Sequence, residues 1–267
     1  MEEYVHGYTT RESDRLTDQA NTLTELLHHD TSYPAGARVL EVGCGVGAQT
    51  TILAQRSPDA HFISIDISAE SLNQAQASIE AEGIANVTFQ QKSLFELQHY
   101  DGLFDHIFVC FVLEHLPEPA AALRHLGALL KKGGSLTAIE GDHGSFYCYP
   151  ESTEAKLAVR CLIDVQARLK GNALIGRQLY PLLRATGFPD VAVSPRTVYA
   201  DASRPPWVEG FSKRTFIAMV EGVRDQALSL GMIDGATWEK GIVDLYRATE
   251  ADGTFCYTFF KAVAHRA

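Results

Sequence analysis

A chain of 267 residues, 46% hydrophobic and 21% charged, can bury a sizeable core, which excludes disorder as its main state. The net charge of −10, with no basic cluster larger than pairs such as Lys131-Lys132 and Lys213-Arg214, argues against a nucleic-acid-binding face. The longest apolar run, Ile107 to Leu113, is too short to span a bilayer, and Met1-Glu2-Glu3-Tyr4 opens without the basic and apolar regions of a secretory signal.

In chain order, Tyr4, Tyr8, Arg11, Arg15 and Gln19 precede the first strand on a predicted helix. Short strands are then predicted over 38–42, 61–65, 87–91, 104–111 and 135–140. Helices are predicted over 49–56, from an N-cap at Ser68 to about Glu82, and over 119–130. This alternation points to a parallel sheet covered by helices. Lys131-Lys132-Gly133-Gly134 reads as the C-terminal stop of the third of these helices. Beyond 140 the pattern changes. Helices are predicted over 154–169 and 178–186, a strand over 191–199, helices over 208–230 and 236–249, and a last strand over 254–263. Arg204-Pro205-Pro206 interrupts the chain between them. Five scattered cysteines without C-x-x-C spacing read as reduced and cytoplasmic, with no metal site.

Glu41-Val42-Gly43-Cys44-Gly45-Val46-Gly47 falls where the first strand turns into a helix. Gly43 and Gly45 permit a tight turn and close approach of a ligand to the backbone, and the helix N-terminus offers free N–H groups. Asp66 ends the next strand, where a carboxylate accepts hydrogen bonds from both hydroxyls of a ribose. Gly43, Gly45 and Ala48 also satisfy the permissive dinucleotide pattern, which keeps an NAD-dependent oxidoreductase as an alternative. Against it stands Glu41, an acid that repels a pyrophosphate but suits the positive methionine end of S-adenosylmethionine (SAM).

Val39 to Gly47, Asp66, and Phe104-Asp105-His106-Ile107 through Leu113-Glu114-His115-Leu116 together resemble the class I SAM-dependent methyltransferases. Within that class the chain is most similar to the subgroup that includes ubiquinone and menaquinone biosynthesis enzymes. Leu130-Lys131-Lys132-Gly133-Gly134-Ser135-Leu136 resembles that subgroup's approach to its fifth strand. The resemblance implies a Rossmann-like α/β fold, with seven mostly parallel strands of which the last is antiparallel. It implies SAM as cofactor and S-adenosylhomocysteine as product. Residue by residue, it implies that Gly43, Cys44 and Gly45 line the methionine and ribose. Glu41 would face the methionine ammonium, Asp66 would hold the ribose, and Ile67 would cover the adenine. Ser93 and Leu94 would sit where the family often places an Asp at the adenine amine, a pattern from which Ser93 departs. Cys110 and Phe111 would close over the cofactor.

Methyl transfer asks little of the protein beyond alignment and exclusion of water, and a base only where the acceptor loses a proton. His115, just past the fourth strand, and Asp142 and His143, just past the fifth, are the candidate catalytic residues. The plain alternatives are a structural Glu114-His115 turn and a flexible connector over 140–147. Tyr147, Arg177 and Tyr180 are candidate pocket residues, with Arg196, Tyr199 and Tyr257 behind them. The expected organisation is one domain over 1–267. It comprises a lid helix (1–36), a SAM-binding core (37–150), inserted helices with one strand forming a substrate cap (151–252), and the final strand (253–267). A homodimer interface is the competing role for the inserted helices. The expected activity is methyl transfer from SAM to a small organic acceptor; a SAM-binding enzyme with a non-methylating outcome is a further alternative.

Overall fold

The computed structural model describes residues 10–97 and 102–267, with side chains from residue 15 onward. Seven strands form one sheet: β1 Arg38–Val42, β2 His61–Asp66, β3 Val87–Gln91, β4 Phe104–Cys110, β5 Leu130–Tyr149, β6 Asp190–Ala200 and β7 Thr254–His265. Their order is β3-β2-β1-β4-β5-β7-β6. β3, β2, β1, β4 and β5 pair in parallel, and the last strand in sequence, β7, is antiparallel. The reciprocal bonds Gly133 N to Arg266 O and Arg266 N to Gly134 O, each 2.9 Å, carry that antiparallel pattern to the β7 end.

The chain divides into two compact units, and β5, β6 and β7 contribute residues to both. The sheet unit holds residues 24–140, 175–195 and 260–267. Helices α2 Ala48–Arg56, α3 Ala69–Ala81, α4 Pro119–Leu129 and α6 Leu179–Ala185 belong to it. Its central strands are apolar because a parallel sheet is buried on both faces. Leu40, Val42, Ile107 and Val109 pack with Ala122, Leu123, Leu126 and Leu129, a set spaced for one face of α4. Ser68 caps α3 as expected, its hydroxyl accepting from Ser71 N at 3.1 Å.

The helical unit holds 141–174, 196–259 and, among the described residues, 10–23. Helix α5 Thr153–Arg168 and the helix Gly235–Arg247 pack tightly within it. A Cβ on Gly241 would come within 2.5 Å of Glu154 O, so only glycine lets the two backbones approach so closely.

The structure departs from the sequence pattern at three places. The predicted strand end at Glu140 is overrun, and β5 continues to Tyr149. Gly141 reads as a turn residue, yet a Cβ there would collide with the Tyr257 hydroxyl. The glycine serves a close approach inside the sheet, which the local pattern does not distinguish from a turn. Second, Lys131 to Gly134 fall inside β5, where its register with β4 shifts between Phe104 and His106. The helical stop is a β-irregularity with Gly133 at φ 75°. Third, the helix predicted over 208–230 begins as a π-helix, Val208–Ile217, followed by the short helices Ala218–Gly222 and Arg224–Ser229. A Cβ on Gly210 would overlap the Thr22 hydroxyl, so this wide helix lies against residues of α1 Thr10–His28.

Candidate active site

In the sheet unit, the carboxyl ends of β1, β2 and β4 bring together Glu41, the Gly43–Gly47 loop, Asp66, Ile67, Cys110, Phe111 and His115. The loop is pinned to β2 by its first amides: Gly43 N and Cys44 N donate to Ile65 O at 2.8 and 3.0 Å. Gly43, Gly45 and Gly47 all have positive φ, at 68°, 53° and 79°, which excludes most other residues there. Their reasons differ. A Cβ on Gly43 would lie 2.5 Å from Val112 Cγ2, and one on Gly47 would lie 2.9 Å from Ala75 Cβ, whereas one on Gly45 would meet nothing within 4 Å. Gly43 and Gly47 are therefore required by packing, and Gly45 borders open space.

Asp66 secures this arrangement from β2. Its Oδ2 accepts from Gly45 N at 2.8 Å and its Oδ1 from Ser68 N at 2.9 Å. Each oxygen keeps a second lone pair for a further donor. Ile67, next in the chain, is 51% exposed, an apolar side chain offered to solvent beside the loop. Glu41 is buried, and its Oε2 accepts from the Thr50 and Ser64 hydroxyls, each at 2.7 Å. Burial pushes its carboxyl up to about 7, against the pull of those two hydroxyls. Burial likewise raises the thiols of Cys44 and Cys110, so neither is a ready nucleophile.

Ser93 caps a 3-10 turn, Leu94–Glu96, its hydroxyl accepting from Phe95 N at 3.3 Å while its own N–H donates to Glu96 at 2.9 Å. The Leu94 side chain belongs to the hydrophobic core. Phe111 is a non-glycine residue at φ 57°, a conformation costing ~1–2 kcal/mol. His115 Nε2 stands 3.7 Å from Glu114 Oε1. Arg177, on the turn Ile175–Gln178, and Tyr180, 53% exposed, also belong to this unit.

Asp142, His143 and Tyr147 lie on β5 within the helical unit. Asp142 and His143 are buried, Tyr147 is 55% exposed, and neighbouring strand residues face opposite ways. The three are thus not gathered on one face. His143 Nδ1 is 2.7 Å from the Tyr257 hydroxyl, and its backbone N–H donates to Ala173 O at 2.9 Å. Around this pair Tyr257 packs its ring against Phe211, Phe216 and Phe259 at 5.5, 5.4 and 4.8 Å. On α1, Arg15 and Gln19 are buried and joined by a 3.0 Å hydrogen bond. Tyr4, Tyr8 and the Arg11 side chain lie outside the described residues.

Sequence reasoning missed Glu140. It is fully buried at the β5 position following Ile139. Its Oε1 accepts from Val112 N at 3.1 Å and Leu113 N at 2.8 Å. Burial and the neighbouring Glu114 push its carboxyl well above the ordinary range, against those amide donors. The signal was an acid closing the strand run Leu136 to Ile139, where a buried charge needs dedicated partners. Lys261 on β7 was missed too; it is buried, with Nζ 2.6 Å from Asp30 Oδ1 and 2.6 Å from Thr31 Oγ1.

A family model described as a methyltransferase domain matches residues 34–187, more than half of the chain. Over 101 residues the chain is 36% identical to a ubiquinone biosynthesis O-methyltransferase of Acinetobacter baylyi, covering 38% of this chain and 42% of that protein. It is 26% identical over 259 residues to the 27-O-demethylrifamycin SV methyltransferase of Amycolatopsis mediterranei, covering 96% of this chain and 88% of that protein. Among solved structures, phosphoethanolamine N-methyltransferase 2 of Haemonchus contortus, complexed with phosphomonomethylethanolamine and S-adenosylhomocysteine, shares the fold. Its TM-score is 0.58 at 16% identity, over 93% of this chain and 53% of that one. Several other curated relatives are longer proteins, of which this chain spans about half. Among the described residues no helix is long and apolar enough to cross a membrane.

Proposed function

Because this chain belongs to the methyltransferase-domain family, as a class I methyltransferase, we propose that it moves the methyl group of SAM to a hydroxyl of a small organic acceptor. The observation that carries the cofactor half is the Gly45 position, where a left-handed turn borders open space and its N–H is held by Asp66. A ligand passing there meets backbone, the Asp66 carboxylate and the buried acid Glu41, a set of groups that fits a sulfonium nucleoside with a ribose and an ammonium. When bound, SAM supplies a sulfonium-activated methyl group. Glu41 faces its ammonium, directly or through water. Gly43, Cys44 and Gly45 line the methionine and ribose, and Asp66 accepts from the ribose hydroxyls. Ile67 covers the adenine. Ser93 and the Leu94 backbone border its edge, since the Leu94 side chain is committed to the core. Cys110 and Phe111 close over the reacting end.

The hydroxyl acceptor is supported by the relative that aligns over 96% of this chain and is named as a methyltransferase of 27-O-demethylrifamycin SV. Such a hydroxyl loses its proton as the new bond forms, so a base is required. His143, oriented through Nδ1 by Tyr257, is the leading candidate, ahead of Asp142 and His115. Tyr147, Arg177 and Tyr180 are assigned to acceptor contacts. In this reading residues 37–150 carry the cofactor, 151–252 select the acceptor and 1–36 serve as a lid. Five free, buried cysteines suit a reducing, cytoplasmic setting.

The test is incubation with SAM and a panel of hydroxylated polyketides, quinols and phenols, followed by mass spectrometry for S-adenosylhomocysteine and a methylated product. SAM binding without S-adenosylhomocysteine across the panel would favour a non-methylating reaction. Failure to bind either SAM or S-adenosylhomocysteine would remove the cofactor assignment.

A further inference from the structure

Glu140 takes no part in the chemistry just described, yet it is fully buried and its Oε1 accepts from two amides of one turn. That turn follows β4, opening with Phe111 in a left-handed conformation, φ 57°. Phe111 N–H donates to Ile139 O at 2.9 Å, and the next two amides, Val112 and Leu113, both donate to Glu140 Oε1. Three consecutive amides after β4 are therefore held by two consecutive residues of β5. Val112 in turn places its Cγ2 where a Cβ on Gly43 would stand, so the turn packs directly on the first glycine of the loop that borders the open Gly45 position.

We infer that Glu140 is a positioning residue whose carboxyl group clamps the turn after β4, holding Phe111 in its strained conformation and Val112 against Gly43. Through that turn it sets the shape of the cofactor loop. A hydrophobic residue would fill the same core volume but leave the Val112 and Leu113 amides without that acceptor and let Phe111 relax toward the common backbone regions. What the clamp requires is an oxygen able to accept two N–H groups, not a negative charge. The other carboxyl oxygen, Oε2, is buried without a hydrogen-bond partner among the described residues, which agrees with a residue kept for one of its oxygens.

The consequence for SAM rests on the proposed function; the clamp itself does not. Parent protein, Glu140→Gln and Glu140→Leu are compared by amide hydrogen exchange without cofactor, by calorimetric titration with SAM, and by KM for SAM against KM for the acceptor. Gln presents the same neutral oxygen acceptor and Leu presents none. In Glu140→Leu the Val112 and Leu113 amides should lose protection, and the SAM dissociation constant and KM should rise about tenfold or more, with acceptor KM within about twofold. Glu140→Gln should retain protection and bind SAM within about threefold of the parent. The clamp is overturned if Glu140→Leu keeps both amides protected. It is equally overturned if folded Glu140→Gln loses them, or if Glu140→Gln loses turnover with SAM affinity unchanged, which would make the charge itself chemical. If Glu140→Leu does not fold, Glu140→Gln decides by the same two readouts. If the parent binds no SAM, the functional reading fails and the exchange arms alone judge the clamp.

Discussion

In the sheet unit, Glu41, Asp66 and Glu140 each meet hydroxyls or backbone amides at strand ends. In the helical unit, His143 meets the Tyr257 hydroxyl amid packed aromatic rings, and a π-helix replaces regular α-helix. The first arrangement is built largely from backbone geometry, which many sequences can reproduce. The second is built from particular side chains filling particular space, which changes with every substitution. A site that binds one cofactor and a site that chooses among acceptors would differ in just this way.

The comparison predicts that substitutions at the Gly43–Gly47 loop, Glu41 and Asp66 strike SAM affinity and those around His143 strike turnover. The largest effect is expected for Gly45→Val. Its side chain enters the open space, and SAM binding should fall beyond calorimetric detection, while folding loses only the ~1–2 kcal/mol of left-handed strain. A variant that binds SAM normally would show that the loop is not the cradle.

His143→Ala comes next. Loss of a general base typically costs about 10²-fold or more in turnover, and the SAM dissociation constant should stay within about twofold. Rates must be read well below the variant's melting temperature, because His143 is also packed in the aromatic cluster. Parent-like turnover on a verified acceptor would rule it out as an essential group, and weakened SAM binding in the folded variant would blur the division between the units.

Asp66→Ala should weaken SAM binding about tenfold to a hundredfold, since a charge-assisted hydrogen bond contributes roughly 1.5–3 kcal/mol. An unchanged dissociation constant would refute the ribose assignment.

The smallest effect is a pH dependence. Burial raises Glu41 to about 7 in the folded protein, from an ordinary carboxyl value of 4.5. The folded state therefore favours its protonated form, and Glu41's contribution to stability is lost as pH rises through about 7. A cation beside it favours the carboxylate instead. SAM binding at pH 6 should release close to one proton, and affinity should rise toward pH 8. Calorimetry in buffers of different ionisation enthalpy checks this, and Glu41→Gln should abolish the release. Equal proton release in that variant would place the ammonium elsewhere.

Much of the sheet unit was legible from sequence. Short apolar strands ending in glycine or aspartate, a helix capped by Ser68, and the 41–47 motif are local signals, and the parallel order follows from their alternation. The helical unit was less legible because its decisive contacts join distant residues. Gly141 looks like a turn until Tyr257 is beside it, and Gly210 looks like a helix weakness until Thr22 is beside it.

The same division separates what the sequence by itself determined from what tertiary structure decided. Sequence determined the fold class, the glycine loop and Asp66 at the end of β2, because periodicity, capping and left-handed turns act over a few residues. Only tertiary structure decided that Gly43 and Gly47 serve packing while Gly45 borders open space. It alone extended β5 through 141–149, paired His143 with Tyr257 across 114 positions, and placed Glu140 beneath the turn after β4. Each of these depends on which distant atom occupies the neighbouring space, and steric exclusion and hydrogen-bond geometry exist only once the chain has brought those atoms together.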